Sequence, residues 1–292
     1  MSRFIKILKF ILSHPIGSRK PLSSLYRFFK WQIFSIFKVK NTFYWLSGAR
    51  LITQKGMHAA TGNYYVGLLD FEEMTFLLHF LHEEDLFLDV GANVGTYSIL
   101  SSKIKAAKTI SIEPVPTTFK YLKENITLNN VESIVQTHNI GLADKKGELF
   151  FSNTLGTINH VTKNQTNAIK VEVKTLEEIT IIDRPSILKI DVEGYEYFVL
   201  QGAKKVLQNN LLYAVIIELN SSGLRYGVSD EMIHQLLLSN SFYTYSYEPF
   251  SRKLVALDSF RKSNNTIYIR NYSFVKERLI TSDAINVRGV LI

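Results

Sequence analysis

Asp89, Gly91, Asn93 and Gly95 alternate within Phe87-Leu-Asp-Val-Gly-Ala-Asn-Val-Gly-Thr-Tyr97, a run that reads as an apolar strand breaking into a glycine loop and then a helix. Glycines at such a turn adopt backbone conformations denied to side chains and let a ligand approach the main chain closely. A dinucleotide loop would carry Gly-x-Gly-x-x-Gly, with glycine where this chain has Asn93. A polar side chain there, preceded by the acidic Asp89, suits a cationic ligand bearing an amino acid better than a pyrophosphate. Lys108-Thr-Ile-Ser-Ile-Glu113-Pro114 is a second short apolar strand, and it ends in the carboxylate that a ribose diol requires.

A second set of acids stands further on. Ile187-Leu-Lys-Ile-Asp191-Val-Glu193-Gly194 puts Asp191 at a strand end and Glu193 in the following turn, and Ala214-Val-Ile-Ile-Glu218-Leu-Asn220 offers Glu218. Carboxylates at one sheet edge can hold a substrate hydroxyl, take its proton or bind a divalent metal, and the sequence leaves all three open. His160, in a polar loop, is either an additional base or a plain loop histidine. His79 and His82 have a metal-binding spacing but no third ligand nearby, and read as surface histidines.

These residues need elements to position them. Seven strands are expected, at Leu86 to Val90, Lys108 to Glu113, Ile134 to Ile140, Ser186 to Asp191, Leu212 to Leu219, Phe242 to Tyr247 and Thr266 to Arg270. Helices at Phe71 to Leu81, Thr117 to Asn129, Tyr195 to Leu207 and Glu231 to Leu238 surround or alternate with them. The pattern predicts an α/β fold with a doubly wound, mainly parallel seven-stranded sheet whose ligands sit at the carboxyl ends of the strands. Gly147 to Val173 departs from the alternation and reads as a hairpin insertion with a long polar loop, able to cover the site.

The 292 residues, 46% hydrophobic, can bury a full core, and the lack of cysteine excludes disulfides, cysteine-ligated zinc and a cysteine nucleophile. Charge is uneven: residues 1–60 hold 11 of the 34 Lys and Arg and no acid, leaving the rest slightly acidic. Lys6, Lys9, Arg27 and Lys30 interleave with aliphatic and aromatic residues, while Pro15, Gly17 and Pro21 divide the segment. Neither apolar run is long enough to span a bilayer. Two helices lying on an anionic membrane, an arm packed on its own domain or on a partner subunit, and a nucleic-acid-binding arm are the readings open to it. The expected organisation is a basic amphipathic helical extension over 1–55, a catalytic domain over 56–275 and a tail over 276–292.

The chain resembles the FkbM family of S-adenosylmethionine-dependent methyltransferases. The resemblance is carried by Phe87 to Thr96, Glu113-Pro114, Asn139-Ile-Gly-Leu-Ala-Asp144, Leu188 to Gly194 and Ile217-Glu218. It implies a class I, Rossmann-like fold and methylation of oxygen, often on sugars or other metabolite hydroxyls. It also implies that Asp89, Gly91, Asn93 and Gly95, with Thr96, surround the methionine part of the cofactor and that Glu113 holds its ribose. Asn139 to Leu142 would flank the adenine, and Asp191 and Glu193 would face the methyl group and the acceptor. A divalent metal is compatible but not required. The expected acceptor is a hydroxyl of a sugar in a glycan, glycolipid or related metabolite, lipid-linked if the arm binds membrane, with the enzyme cytoplasmic or peripheral on the inner face of the cell membrane. A nucleic-acid methyltransferase, a nicotinamide-dependent oxidoreductase and a non-catalytic scaffold are the rival readings; the oxidoreductase lacks its glycine at Asn93 and an obvious Tyr-x-x-x-Lys pair.

Overall fold

The computed structural model describes residues 3–37, 40–152, 159–163, 166, 168–180, 184–262 and 264–292. Its centre is an eight-stranded sheet in the spatial order Lys253–Ala256, Tyr243–Glu248, Asn264–Ile269, Ala214–Leu219, Ile187–Ile190, Leu86–Val90, Lys108–Ile112, Val135–His138. The last five of these run parallel, whereas Asn264–Ile269 is antiparallel to its neighbours. Helices cover both faces, so the central strands are near-continuous apolar runs. Phe87, Ile187 and Ile216 enter one core with Phe76 and Leu77 from the helix Phe71–Phe80. Leu88, Leu188, Val215 and Ile217 enter the other with Val199 and Leu237 from the helices Glu196–Gln201 and Asp230–Ser239.

The seven expected strands are present, and an eighth, Lys253–Ala256, extends the edge by pairing with Tyr243–Glu248. Only Leu254 of its four residues is buried, so it carries little of the apolar signal by which a strand is recognised. The expected helix from Tyr195 to Leu207 is broken into Glu196–Gln201 and Lys204–Gln208. The strand expected to reach Ile140 stops at His138, and Gly141–Leu142 pairs instead with Val173 and Lys174. There it joins the antiparallel hairpin Gly147–Ser152 and Ala168–Lys174, which forms the insertion; part of its polar loop lies outside the described residues.

The N-terminal segment forms three helices, Arg3–Ser13, Pro15–Arg19 and Pro21–Ile36, with Pro15 and Pro21 each at a helix start. One face packs on the chain's own domain: Ile11, Phe28 and Trp31 meet Tyr65 and Val66, and Arg27 Nε donates to the Tyr65 carbonyl at 2.8 Å. The hairpin Asn41–Tyr44 and Arg50–Thr53 follows, its Arg50 and Ile52 amides held by Asn129 and Asn125. Residue 275 falls within the helix Tyr272–Thr281, and Arg278 of that helix pairs with Asp85 just before the central strand.

Candidate functional site

The glycine loop folds because Val90, the last residue of its strand, hands the chain to a turn clamped from the side. The Gly91 and Ala92 amides both donate to the Ile112 carbonyl at 2.9 Å. Gly91 has φ of 78°, and a Cβ built there would stand 1.8 Å from the Asp191 carbonyl oxygen. Glycine is therefore what lets the central strand and the one carrying Asp191 close side by side at their ends. Glu113 completes the turn: one carboxylate oxygen accepts from the Asn93 amide and the other from the Val115 amide, each at 3.0 Å. Burial pushes its pKa up to about 7 against these two hydrogen bonds.

A cleft opens at this edge, with Gly91, Glu113, Leu142, Asp191 and Glu193 in its wall. Phe151 and Asn159 of the insertion also line it, so the hairpin forms part of the cleft wall. Of the sequence candidates, Asn93 lines it as well, while Asp89, Gly95, Thr96, Asn139 and His160 do not. Asp89 is buried beneath the loop, where Ser98 Oγ donates to its carboxylate at 2.6 Å, and burial raises its pKa. Gly95, in the left-handed region at φ 86°, caps the helix that the buried Thr96 begins. Asn139 uses its amide to bind the Glu113 and Pro114 carbonyls, bracing the second strand rather than facing the cleft. His160 exchanges hydrogen bonds with Ser152 through its backbone, and the adjacent Asn159 faces the cleft in its place.

The carboxylates cluster around one cation. Lys189 is buried in its strand, its Nζ 3.0 Å from Asp191 Oδ2 and 4.8 Å from the centre of the Tyr97 ring. Tyr97 Oη in turn donates to Asp70 at 3.0 Å. Asp191, Asp89 and Asp70 together hold the Lys189 pKa above its ordinary value despite its burial, which acts to lower it more than any other single effect. Glu193, at φ 55°, and Gly194, at φ 101°, make a tight turn after Asp191. The buried Glu196 holds this turn by accepting from the Val192 amide at 3.2 Å and the Gly194 amide at 3.0 Å. Burial, followed by the proximity of Asp191, pushes both Glu193 and Glu218 up to about 7.

Sequence reasoning missed Lys189, Glu196 and Asp70 as parts of this site. Lys189 had a readable signal, a charge inside the apolar run Ile187-Leu-Lys-Ile190, two residues and hence one strand face from Asp191. Asp70 had none, since it arrives from a helix start far away in the chain. Asp191, Glu193 and Glu218 do not converge as a metal-ligand set. Among the described residues that closeness occurs at His82, Glu84 and Asp85, where Asp85 is already engaged by Arg278 and Ser186. The expectation of a surface position fails for His79, which is fully buried with Nδ1 2.6 Å from Tyr247 Oη.

Residues 89–249 match the family model described as the methyltransferase FkbM domain. The hexuronic acid methyltransferase AglP of Haloferax volcanii is 30% identical over 166 residues, 55% of this chain and 64% of that protein, so the chain spans a little under two thirds of this relative. The methyltransferase sdnD of Sordaria araneosa is 26% identical over 182 residues, 50% of this chain and 70% of that one. A solved structure of an rRNA methylase from Streptococcus thermophilus aligns over 68% of this chain and 93% of its own, at 11% identity and a TM-score of 0.39.

Removing the central cation tests the arrangement. Lys189→Met leaves Asp70, Asp89 and Asp191 facing one another without a counter-charge, and should cost on the order of 2–4 kcal/mol in urea unfolding. An unchanged midpoint would show that the three acids do not depend on Lys189.

Proposed function

Because this chain belongs to the FkbM methyltransferase family, we propose that it moves a methyl group from S-adenosylmethionine to a hydroxyl of a sugar. The observation that carries this reading is the convergence of Gly91, Glu113, Asp191 and Glu193 on one cleft at the carboxyl edge of the sheet. The relative whose name specifies a hexuronic acid supports a saccharide acceptor.

The cleft fits such a cofactor. Glu113 retains lone pairs for two ribose hydroxyls, since each of its oxygens accepts one backbone amide. Ile112, Ile140 and Leu142 offer apolar faces for a base, and the carboxylate of Asp191 suits a cationic sulfonium or amino group. When bound, the cofactor supplies a methyl group open to in-line displacement by an oxygen nucleophile. The protein's part is to hold that oxygen in line and to accept its proton as the new bond forms.

Glu193 is assigned the proton. It lines the cleft, and a pKa of about 7 leaves it partly ionised at neutral pH while raising its basicity. Asp191, tied to Lys189 through one oxygen, keeps the other to orient the hydroxyl. The Lys189 ion pair and the Glu196 bonds to the 192–194 turn hold the two acids in position before the acceptor arrives.

The N-terminal arm we assign to an anionic membrane surface. On the helix Pro21–Ile36, Ser24, Phe28 and Trp31 are buried against the domain, while Leu22, Tyr26, Phe29, Ile33 and Ile36 are exposed. Steps of three and four residues put the exposed set on one stripe of the helix. Leu22 is 84% exposed and Ile36 72%, so the stripe is an open face rather than scattered side chains. Phe4 of the first helix, 6.2 Å from Phe29 between ring centres, extends it, and the exposed Lys6, Lys9 and Lys30 lie nearby on the same two helices. Apolar side chains interspersed with lysine suit lipid with anionic headgroups better than a nucleic acid, which would call for a cationic stripe. No helix among the described residues is long and apolar enough to cross a membrane.

Three measurements test these assignments. Calorimetry should find S-adenosylhomocysteine binding weakened at least about tenfold by Glu113→Gln, a loss of about 1.4 kcal/mol; equal affinities would release Glu113 from the ribose. Because Glu193 acts in its deprotonated form and its pKa is raised to about 7, turnover should fall as pH drops through about 7. Glu193→Gln should lower kcat by about 10² to 10⁴ with cofactor affinity kept, and a parent-like kcat would assign the base elsewhere. Finally, the full chain should sediment with phosphatidylserine-containing vesicles and not with pure phosphatidylcholine, and Phe29→Ser/Ile33→Ser should abolish this; retention by the double variant would remove the stripe from membrane binding.

A further inference from the structure

The strand register carries the site sideways across the sheet. Val90 pairs with Ile190 and Ile190 with Ile217, so the next row sets Gly91, Asp191 and Glu218 side by side. Glu218 in turn pairs with Asn265. Partners in one row point to the same face, and neighbouring strands lie about 4.8 Å apart, so Asn265 stands about 10 Å from Asp191 on the same side of the sheet. Asn265 belongs to the wall of a second cavity of about 910 Å³.

Three parts of the chain enclose this cavity: the helix start Asp70 to Glu73, the turn Tyr247 to Ser251, and Phe10 with Pro15 from the arm. Phe250 packs on Phe71 with ring centres 5.5 Å apart and presents an aromatic surface, 43% exposed. Asn265 Oδ1 is buried with no hydrogen-bond partner, an acceptor that calls for a donor from outside the chain. Acids outnumber cations here. Arg261, the cation in the wall, is held by Glu72 at 2.8 Å with Glu73 at 4.0 Å, and Arg19 at the rim lies 3.8 Å over the Phe250 ring. Asp70 and Glu248 add two further carboxyl groups to the wall. An entering carboxylate would find no unengaged cation among the described wall residues, whereas hydroxyls would find carboxyl groups, amides and an aromatic face.

We propose that this second cavity is a distal subsite for an uncharged sugar unit of an oligosaccharide acceptor, whose neighbouring unit offers its hydroxyl to Asp191 and Glu193. The proposal rests on the methyltransferase reading above and adds to it the length and charge of the acceptor. The subsite disfavours uronic acids, because Arg261, the cation in its wall, is already engaged by Glu72 and Glu73 and leaves an entering carboxylate no free counter-charge there. Asp70 joins the two regions, since it lines the cavity and accepts from Tyr97, whose ring lies against Lys189 beside Asp191.

The test uses the full chain saturated with S-adenosylhomocysteine and a panel of disaccharide methyl glycosides, each beside its counterpart oxidised to a uronic acid at the non-reducing unit. Binding is read by ligand-observed NMR and calorimetry. At least one uncharged member should bind, and its uronate should bind at least tenfold more weakly. Phe250→Ala should weaken the uncharged ligand at least tenfold with S-adenosylhomocysteine affinity unchanged, and Glu248→Lys, on an exposed side chain, should narrow the gap to the uronate. A uronate that binds as well as its uncharged partner, indifference to Phe250→Ala, or failure of the whole uncharged panel with the cofactor product bound overturns the subsite. Failure of S-adenosylhomocysteine itself to bind defeats instead the reading on which the subsite rests.

Discussion

One buried ammonium group allows the carboxyl edge of this sheet to be acidic. Asp70, Asp89 and Asp191 come from three separate segments, yet all three act on Lys189. Gathering like charges in a poorly hydrated place is unfavourable, and each would tend to take up a proton or swing away. Lys189 is hydrogen bonded to the acid nearest it, Asp191, and fixes it in place. Glu193 and Glu218 are pushed up to about 7, first by burial and then by the proximity of Asp191. One lysine thus anchors the acid around which the others gather.

Backbone geometry supports the same arrangement. Gly91 permits the glycine loop to touch the end of the strand bearing Asp191, and the turn after that strand carries consecutive positive φ values at Glu193 and Gly194. A glutamate in the left-handed region is held there against its preference, and Glu196 supplies the restraint by capturing two turn amides. Ser222 backbone atoms lie 2.6 to 2.7 Å from where a Cβ of Gly194 would be, so the turn is also pressed by the segment following Glu218. The candidate base is therefore positioned by packing from both flanking strands.

Much of this was legible in the sequence, for a local reason. The strand, glycine loop and helix start around Gly91 are adjacent residues, as are Ile-Asp-Val-Glu-Gly194, and their chemistry is written in short spacings. Seven strands followed from apolar runs, and the eighth escaped because an exposed edge strand lacks such a run. The position of Asn139 behind the wall, the burial of His79 against Tyr247 and the arrival of Asp70 beside Lys189 depend on tertiary neighbours that no local pattern encodes. The arm shows the same limit in another form. Its aromatic content was plain, but the sorting of Phe28 inward and Phe29 outward is fixed only by where Tyr65 and Val66 stand.

The hairpin insertion touches the rest of the protein at a telling place. Phe151 and Asn159 form part of the cleft wall, and Tyr226, beyond the fifth parallel strand, donates its hydroxyl to the Val161 carbonyl at 2.6 Å. Among the described residues, the hairpin is thus fastened on one side through pairing with Gly141–Leu142 and on the other through this phenolic hydrogen bond. One wall of the cleft is accordingly held from two other parts of the chain, since the strand Gly141–Leu142 and Tyr226 both bear on the hairpin that carries Phe151.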